Sequence, residues 1–481
     1  MLVAAALVGG FSAGSPVLPS VVLAAVAGLA ARGVARRYPA GALAAAVFAV
    51  LIAATKFRMR DPMASLEGEL DSQVVLELAL FAIAGCFVAG ALLGGDRNRP
   101  QRWRELRPSG VEWMLVAYVL LALGSVLWSS APMLTAVRAT ELAVVLLLGV
   151  ALRRVRGPDN VLDAIGAPLL VYVLGCAVLA KLFSWADGTR VDYFGFARFS
   201  WFAVHPIKAA TAAAVAILYL VVDLSFAEDR SRLRRLGVPA WSLLLPLLVV
   251  LALTKSRGPL LALAASVAVL MFLRHGSRLG GALLFAAGAG LLLLVAVTGL
   301  TPSDLVARLG AEGGPLSTLL LRGQTANEVS GLTGRTELWH SAGQIIAANW
   351  AIGVGYQGSR AMLLAVDAWA AYAHNAFLQT LLDLGVVGTL LLWIPLSLPL
   401  FSGSLRDPAV EHAVLHRRAA ALTMTVFLLV NSVSSESFAA APGLEIMLAV
   451  GCILAVGRRT PHAAVARRLL APAPRLAMGG S

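Results

Sequence analysis

The sequence predicts an all-α, polytopic integral membrane helical bundle of about 12–14 transmembrane helices, with a long extracytoplasmic loop containing short helices. Three observations predict it. Of the 481 residues, 59% are apolar and 14% charged, against roughly half and a quarter in soluble domains. Apolar runs long enough to cross a bilayer recur along the chain. Basic residues gather in alternate connections between those runs, the pattern that fixes membrane orientation.

The runs fall at 16–32, 40–55, 73–94, 111–128, 135–152, 160–183, 205–223, 240–255, 257–273, 281–299, 376–401, 418–434 and 443–457. Three arginines lie in "ARGVARR" (31–37), five in "GDRNRPQRWRELRP" (95–108) and four in "EDRSRLRR" (228–235). With 153–157, 274–278, 406–418 and the tail from 457, these connections hold 25 of the 39 Lys and Arg. The positive-inside rule makes that side cytoplasmic, the C-terminus with it. The formal charge of +13 is thereby explained by topology, and nucleic acid is not expected as a partner. Thirteen spans put the N-terminus outside, and an apolar 1–15 allows a broken first helix and a fourteenth. A cleaved signal peptide is not expected, because no basic segment precedes that stretch.

The expected organisation is 1–183 as scaffold helices and 184–299 as helices bearing outer-face arginine motifs. The long outer loop follows at 300–375, then C-terminal helices at 376–457 and a cytoplasmic tail at 458–481. Cys86, Cys176 and Cys452 all fall within spans and form no CxxC, so they read as packing residues. Neither a metal nor a cofactor is expected. Arg138 and Glu141, at i and i+3 on one helix face, partly neutralise each other inside the scaffold. Within the loop, Leu338, Ile345 and Ile346 recur at helical spacing and predict an amphipathic helix against the membrane surface.

Four constellations gather on the outer side. In "FARFSWFAVHPIKAA" (196–210), Arg198 precedes aromatic residues, and His205, Pro206 and Lys208 open the next helix. Cations at a helix N-terminus are disfavoured unless an anion joins them. Arg198 and Lys208 therefore read either as an anion site or as snorkelling interface residues. In "LALTKSRGPLLALAAS" (251–266), Lys255, Ser256 and Arg257 interrupt two apolar runs, and Gly258-Pro259 forces a tight turn. Two adjacent cations there oppose the charge bias, which points to function.

The third stretch, "GLTGRTELWHSAGQIIAANWAIGVGYQGS" (331–359), offers Arg335, Glu337 and His340. Its Gly353, Gly355 and Gly358 read as a turn, since no strand–helix unit supports a phosphate loop. The fourth is His374-Asn375, at the start of a span. A neutral imidazole there is placed to take a proton, and Asn375 is placed to cap the helix or orient a substrate. Asp383 lies inside the span and needs a polar partner, and Glu436 stands at another outer helix end.

In this order, "RFSWFAVHP", "TKSRGPLLAL", "GRTELWHSAGQIIAANWAIGVGYQGS" and "AHNAFLQTLLDLGVVGTLLL" resemble the O-antigen ligase and polymerase family of bacterial membrane glycosyltransferases. The likeness covers roughly 196–395. It implies metal-independent glycan transfer at the outer face of the cytoplasmic membrane, from an undecaprenyl-diphosphate-linked donor to a glycan or glycolipid acceptor. It further implies that Arg198 and Arg257 bind the pyrophosphate and that His374 activates the acceptor hydroxyl. Arg335, Lys255, Lys208, His205 and Asn375 are then expected to contact substrate. Ile207 departs from the family's pattern after His-Pro, which weakens the carry-over to His205 and Lys208. Ligase and polymerase remain open, beside two other readings: a flippase or transporter of lipid-linked oligosaccharide, and a non-catalytic assembly subunit.

Overall fold

The computed structural model describes residues 38–57, 71–93, 109–191, 197–226, 239–275, 335–366, 370–401 and 412–456. The expected spans at 16–32 and 281–299, the loop portion 300–334, the basic connections 31–37, 95–108 and 228–235, and the tail lie outside the described residues. In order, the helices are α1 (Pro39–Ala53), α2 (Ser72–Leu93), α3 (Gly110–Gly124), α4 (Pro132–Arg156), α5 (Val161–Leu182), α6 (Pro206–Phe226) and α7 (Ala240–Leu253). They continue with α8 (Arg257–His275), α9 (Arg335–Ala348), α10 (Ser359–Val366), α11 (Ala376–Ser397), α12 (His412–Asn431) and α13 (Leu444–Val456). Eleven of the thirteen expected spans coincide with these helices, eight of them long and apolar enough to cross a membrane and α1, α7 and α13 shorter.

The innermost helices are α6 and α13, apolar around nearly their whole circumference. Small residues let their neighbours close in. A Cβ on Gly166 would meet the Tyr219 ring at 2.4 Å, and one on Gly149 would meet Val450 at 2.5 Å. In lipid, such close packing replaces the hydrophobic drive between helices. Ion pairs sort to the two ends of the bundle. Arg153 with Glu112, and Arg417 with Asp159, lie at one end. Arg138 contacts Glu77 at 2.5 Å and Glu141 at 2.8 Å near the opposite end, about 22 Å along α4 from Arg153 at 1.5 Å per residue.

In the connection after α5, the strands β1 (Arg190–Val191) and β2 (Ala197–Arg198) pair antiparallel, with Arg190 opposite Arg198. Trp201 is buried beneath it and donates its indole N–H to the Tyr172 hydroxyl at 3.2 Å.

Helix α11 carries the other irregularity. Gly385 takes φ +62°, and the kink frees carbonyls and amides that pair with the 350–355 strip. Val354 N–H donates to Leu382 O and Gly355 N–H to Asp383 O, both at 2.9 Å, while Val386 N–H donates to Trp350 O at 2.8 Å. Gly353 serves this close approach, while Gly355 and Gly358 make room for Ser129. A Cβ on Gly353 would lie 2.4 Å from the Asp383 carbonyl carbon, and one on Gly355 would lie 2.5 Å from the Ser129 Cβ.

Gly385→Ala combines a left-handed φ, costing about 1–2 kcal/mol for an L-residue, with a Cβ placed 2.3 Å from the Ala351 carbonyl carbon. Its apparent melting temperature in detergent is expected to fall by several degrees. Gly175→Ala, where nothing lies within 4 Å, is expected to leave it unchanged.

Candidate functional site

The site lies at one end of the bundle, where α5, α7 and α12 finish and α6, α8 and α11 begin. Helix N-termini carry partial positive charge, and here they are joined by Arg198, Lys208, Lys255 and Arg257. This end of the protein is arranged to receive negative charge.

Arg198 is buried and locked. Its Nε donates to Thr254 O at 3.1 Å and its Nη2 to Ser256 Oγ at 2.9 Å. The Phe199 amide donates to Leu253 O at 3.0 Å. Strand pairing thus delivers Arg198 to the α7–α8 turn, and two of its five N–H donors fix the guanidinium plane there. Lys255 holds that turn with φ +50°, and Arg257 is the first residue of α8. The sequence placed these residues in separate motifs; the structure brings Arg198, Lys255 and Arg257 together.

The segment after α12 joins this turn to His374. A Cβ on Gly258 would meet Ser434 Oγ at 2.7 Å, so only glycine lets the α8 start sit against 431–434. The Ala376 amide donates to Ser432 O at 3.0 Å. Asn375 Nδ2 donates to Val433 O at 3.3 Å, while its Oδ1 accepts from the amides of Phe377 and Leu378 at 3.0 and 3.1 Å. Asn375 is therefore the N-cap of α11 with both ends of its amide engaged, the capping role its position allowed.

Glu436 stands at the centre. Its Oε2 lies 3.3 Å from His374 Nδ1, and its Oε1 lies 3.3 Å from Lys208 Nζ. Lys208 also reaches Glu445 at 2.8 Å. The anion that Lys208 needs at the α6 N-terminus is thus supplied by the protein itself, in two carboxylates. Burial alone would raise the Glu436 pKa; the Lys208 ammonium and the His374 hydrogen bond outweigh it and hold the group well below the usual carboxylate range. A carboxylate with a depressed pKa keeps its interactions until pH falls through that low value, so Glu436 stays ionised at every physiological pH. His374 adopts φ +50°, a strained conformation of the kind that accumulates at working sites.

His205 reaches solvent but is walled in by protein. This confinement, with the Arg198 and Arg190 charges, lowers its pKa to about 4, and its Nδ1 accepts from the Ile207 amide at 3.3 Å. The ring is neutral near pH 7.

Helix α9 begins with Arg335. One turn later, Trp339 Nε1 donates to Ala373 O at 2.8 Å, next to His374. The apolar face of α9 is covered by protein: Leu338 and Ala342 pack with Leu363, Ala370, Ala373 and Leu382, and Ile345 and Ile346 lie against that cluster. The expected membrane-surface contact is thus replaced by packing on the segment that carries His374. Glu337 and His340 are exposed. Asp383 finds its polar partners in Ser359 Oγ (2.5 Å) and Gln379 Nε2 (3.1 Å). Gln379 Oε1 accepts from the Ala373 amide at 2.9 Å, so this network braces the His374 turn from within.

Residues 242–393 match the family model described as O-Antigen ligase. That segment is similar to the O-antigen ligase family. It runs from α7 into α11 and contains Lys255, Arg257, Arg335, His374 and Asn375, while Arg198, His205, Lys208 and Glu436 lie outside it. No curated protein matches the chain. With eight helices long and apolar enough to cross a membrane among its described residues, the chain is a polytopic helical membrane protein.

Lys208→Met leaves Glu436 and Glu445 without their cation. The loss for a fully buried pair is about 3–5 kcal/mol; with Lys208 still 33% exposed, about 2 kcal/mol is expected. Thermal unfolding in detergent measures it, and Lys208→Met/Glu445→Gln is expected to regain part of the loss.

Proposed function

We propose that the protein transfers or polymerises glycan from an undecaprenyl-diphosphate-linked donor onto an acceptor hydroxyl. The reaction takes place at the outer face of the cytoplasmic membrane, with the C-terminus cytoplasmic and without a metal. The observation that carries this reading is the His374–Glu436 contact at 3.3 Å, set among the Arg198–Ser256–Arg257 turn and three helix N-termini.

The chemistry follows from those groups. Glu436 accepts from the Nδ1–H of His374, which leaves the Nε2 lone pair to face the acceptor. Nε2 takes the acceptor hydroxyl proton as its oxygen bonds to the anomeric carbon. The bond from that carbon to the diphosphate oxygen breaks, and the lipid diphosphate departs as an anion held by Arg198 and Arg257. Glu436 stabilises the imidazolium that forms. A stabilised leaving group needs cations rather than a protonating acid, so the two carboxylates of a glycosidase are unnecessary. A single displacement inverts the anomeric configuration.

Lys255 and Arg335 are assigned to substrate, Arg335 to donor glycan or phosphate reaching the loop. Neutral His205 serves as a hydrogen-bonding wall of the pocket. The division of described ion pairs between the two ends of the bundle supports a site at one face over a path across the membrane.

In liposomes with a lipid-diphosphate-linked oligosaccharide, chelator and candidate acceptors, wild type is expected to give product. His374→Ala is expected to lose about 10²–10⁴-fold in rate, the usual weight of a general base, and Arg257→Ala to lose transfer as well. A product that retains the donor's anomeric configuration, or full activity in His374→Ala, would overturn the mechanism. A product ladder identifies a polymerase and a single step identifies a ligase.

The lowered pKa of His205 removes it from titration between about pH 5 and 8. Any acid limb of the rate in that window is therefore expected to keep its position in His205→Gln. A pH–rate profile of the two proteins checks this.

A further inference from the structure

The connection that delivers Arg198 is anchored from the scaffold side by a chain of three hydrogen bonds. Trp201, three residues beyond Arg198, donates its indole N–H to the Tyr172 hydroxyl at 3.2 Å. That hydroxyl lies 2.5 Å from Thr55 Oγ1, and Thr55 Oγ1 donates to Leu51 O at 2.9 Å. Thr55 has one hydroxyl proton and gives it to Leu51 O, so Tyr172 supplies the proton between the two hydroxyls. The chain therefore runs in one direction, from Trp201 through Tyr172 and Thr55 to α1. Trp201 and Thr55 are buried, and Tyr172 of α5 meets the Trp201 ring edge-on at 6.0 Å. The residues after Thr55 hold the same connection. Lys56 O accepts from the Ala203 amide at 2.6 Å, and Phe57 packs on Phe202 with ring centroids 4.9 Å apart. On its other side the connection is tied to the α7–α8 turn, through the Phe199 amide and through Arg198 itself.

We infer that Tyr172 is a positioning residue for the donor: through Trp201 it sets where Arg198 stands beside Arg257, and so how well the two hold a diphosphate. The inference rests on the transferase reading and extends its donor site into the scaffold helices, outside the matched segment 242–393. Packing alone does not require these polar groups, since apolar side chains of the same shape would fill the space at little or no loss. What the hydrogen bonds add is direction. An apolar contact tolerates a slide of the indole, whereas an N–H to oxygen bond weakens steeply with angle. Phe199 and Trp201, both buried, meet edge to face at 6.5 Å, so a shift of the indole is passed along the strand to Arg198. The guanidinium commits Nε to Thr254 and Nη2 to Ser256. Those bonds aim its remaining donors only while the strand keeps its place. Charge-assisted bonds to phosphate are directional, so two cations share one diphosphate only when both are held in register. His374 and Glu436 are braced by other residues, among them Trp339, Gln379 and Lys208, so the acceptor side stands apart from this chain.

The test uses the full chain in phosphatidylcholine nanodiscs, with equilibrium binding of undecaprenyl diphosphate as the first readout and steady-state transfer as the second. Tyr172→Phe removes the hydroxyl and keeps the ring. It is expected to bind undecaprenyl diphosphate about threefold to tenfold more weakly than wild type, the weight of one hydrogen bond. The donor KM is expected to rise by the same factor, with acceptor KM and kcat within twofold. Thr55→Val, which leaves the Tyr172 proton without its acceptor, is expected to weaken binding in the same direction, and Thr55→Ser to match wild type. In an Arg198→Ala background, Tyr172→Phe is expected to change lipid affinity less than twofold, because its route to the ligand is gone. Val173→Ala, at the buried neighbour of Tyr172 in α5, opens a cavity without touching the hydrogen bonds. It is expected to lower the melting temperature and to bind the lipid like wild type. Wild-type affinity in Tyr172→Phe overturns the inference. So does equal weakening in Val173→Ala, which would make the effect one of general stability, and so does a full Tyr172→Phe effect on top of Arg198→Ala. A wild type that binds the lipid but transfers no glycan would sink the transferase reading, while the binding comparison still decides the role of Tyr172.

Discussion

Glu436 is the residue on which this end of the bundle depends. It is a buried carboxylate among helix ends, and a charge in that position survives only when paired and hydrogen-bonded. Its two oxygens divide the task, one toward Lys208 at 3.3 Å and one toward His374 at 3.3 Å. The first contact allows α6 to start with a lysine against its own dipole. The second fixes the orientation of an imidazole whose backbone is already in a strained conformation. The segment holding Glu436 also receives the α11 start at Ser432 and Val433 and the α8 start at Ser434. One short stretch between α12 and α13 thus sets the relative positions of His374 and Arg257.

Strain is concentrated in the same places. The non-glycine residues with left-handed φ are Phe202, Lys255, Gln357, His374 and Ser437. Each lies in, or next to, a segment that builds the site. Such conformations cost on the order of 1–3 kcal/mol each and persist only where the surroundings over-determine them. The surroundings are visible for His374. Trp339 and Gln379 hold the backbone of Ala373 before it, Asn375 caps the helix after it, and Glu436 holds the ring.

Hydropathy read the described bundle well, because each span carries its own signal: a continuous apolar run bounded by polar residues. Arg198, Arg257 and His374 stood out in the sequence for a related reason. A cation or an imidazole at the edge of an apolar run is costly enough to need a purpose. What escaped was pairing across long separations. Glu436 was visible as a charge at a helix end, but nothing local shows that it meets His374, 62 positions earlier, or Lys208 in another motif. The pairing of Lys208 escaped for the same reason, since Glu436 and Glu445 lie far along the chain, whereas the cap that Asn375 makes on Phe377 and Leu378 is local and was legible. The apolar stripe of α9 fitted a membrane surface as well as a protein one, and only Leu363, Ala370 and Leu382 decide between them.

The placement of the small residues shows why so many ends can meet. An α-helix of ordinary side chains keeps its neighbours about 8–10 Å away. Gly258 narrows that spacing at the α8 start, where a Cβ would lie 2.7 Å from Ser434 Oγ, and Gly353 narrows it where the 350–355 strip enters the kink of α11. At that kink the freed polar groups of the backbone are satisfied within the protein, as a membrane setting demands. Because these contacts use main chain and short side chains, the long cationic side chains are left to be aimed by specific partners, as Arg198 is by Thr254 and Ser256. The glycines fix where the helix ends stand, and the ion pairs fix which way the charges point.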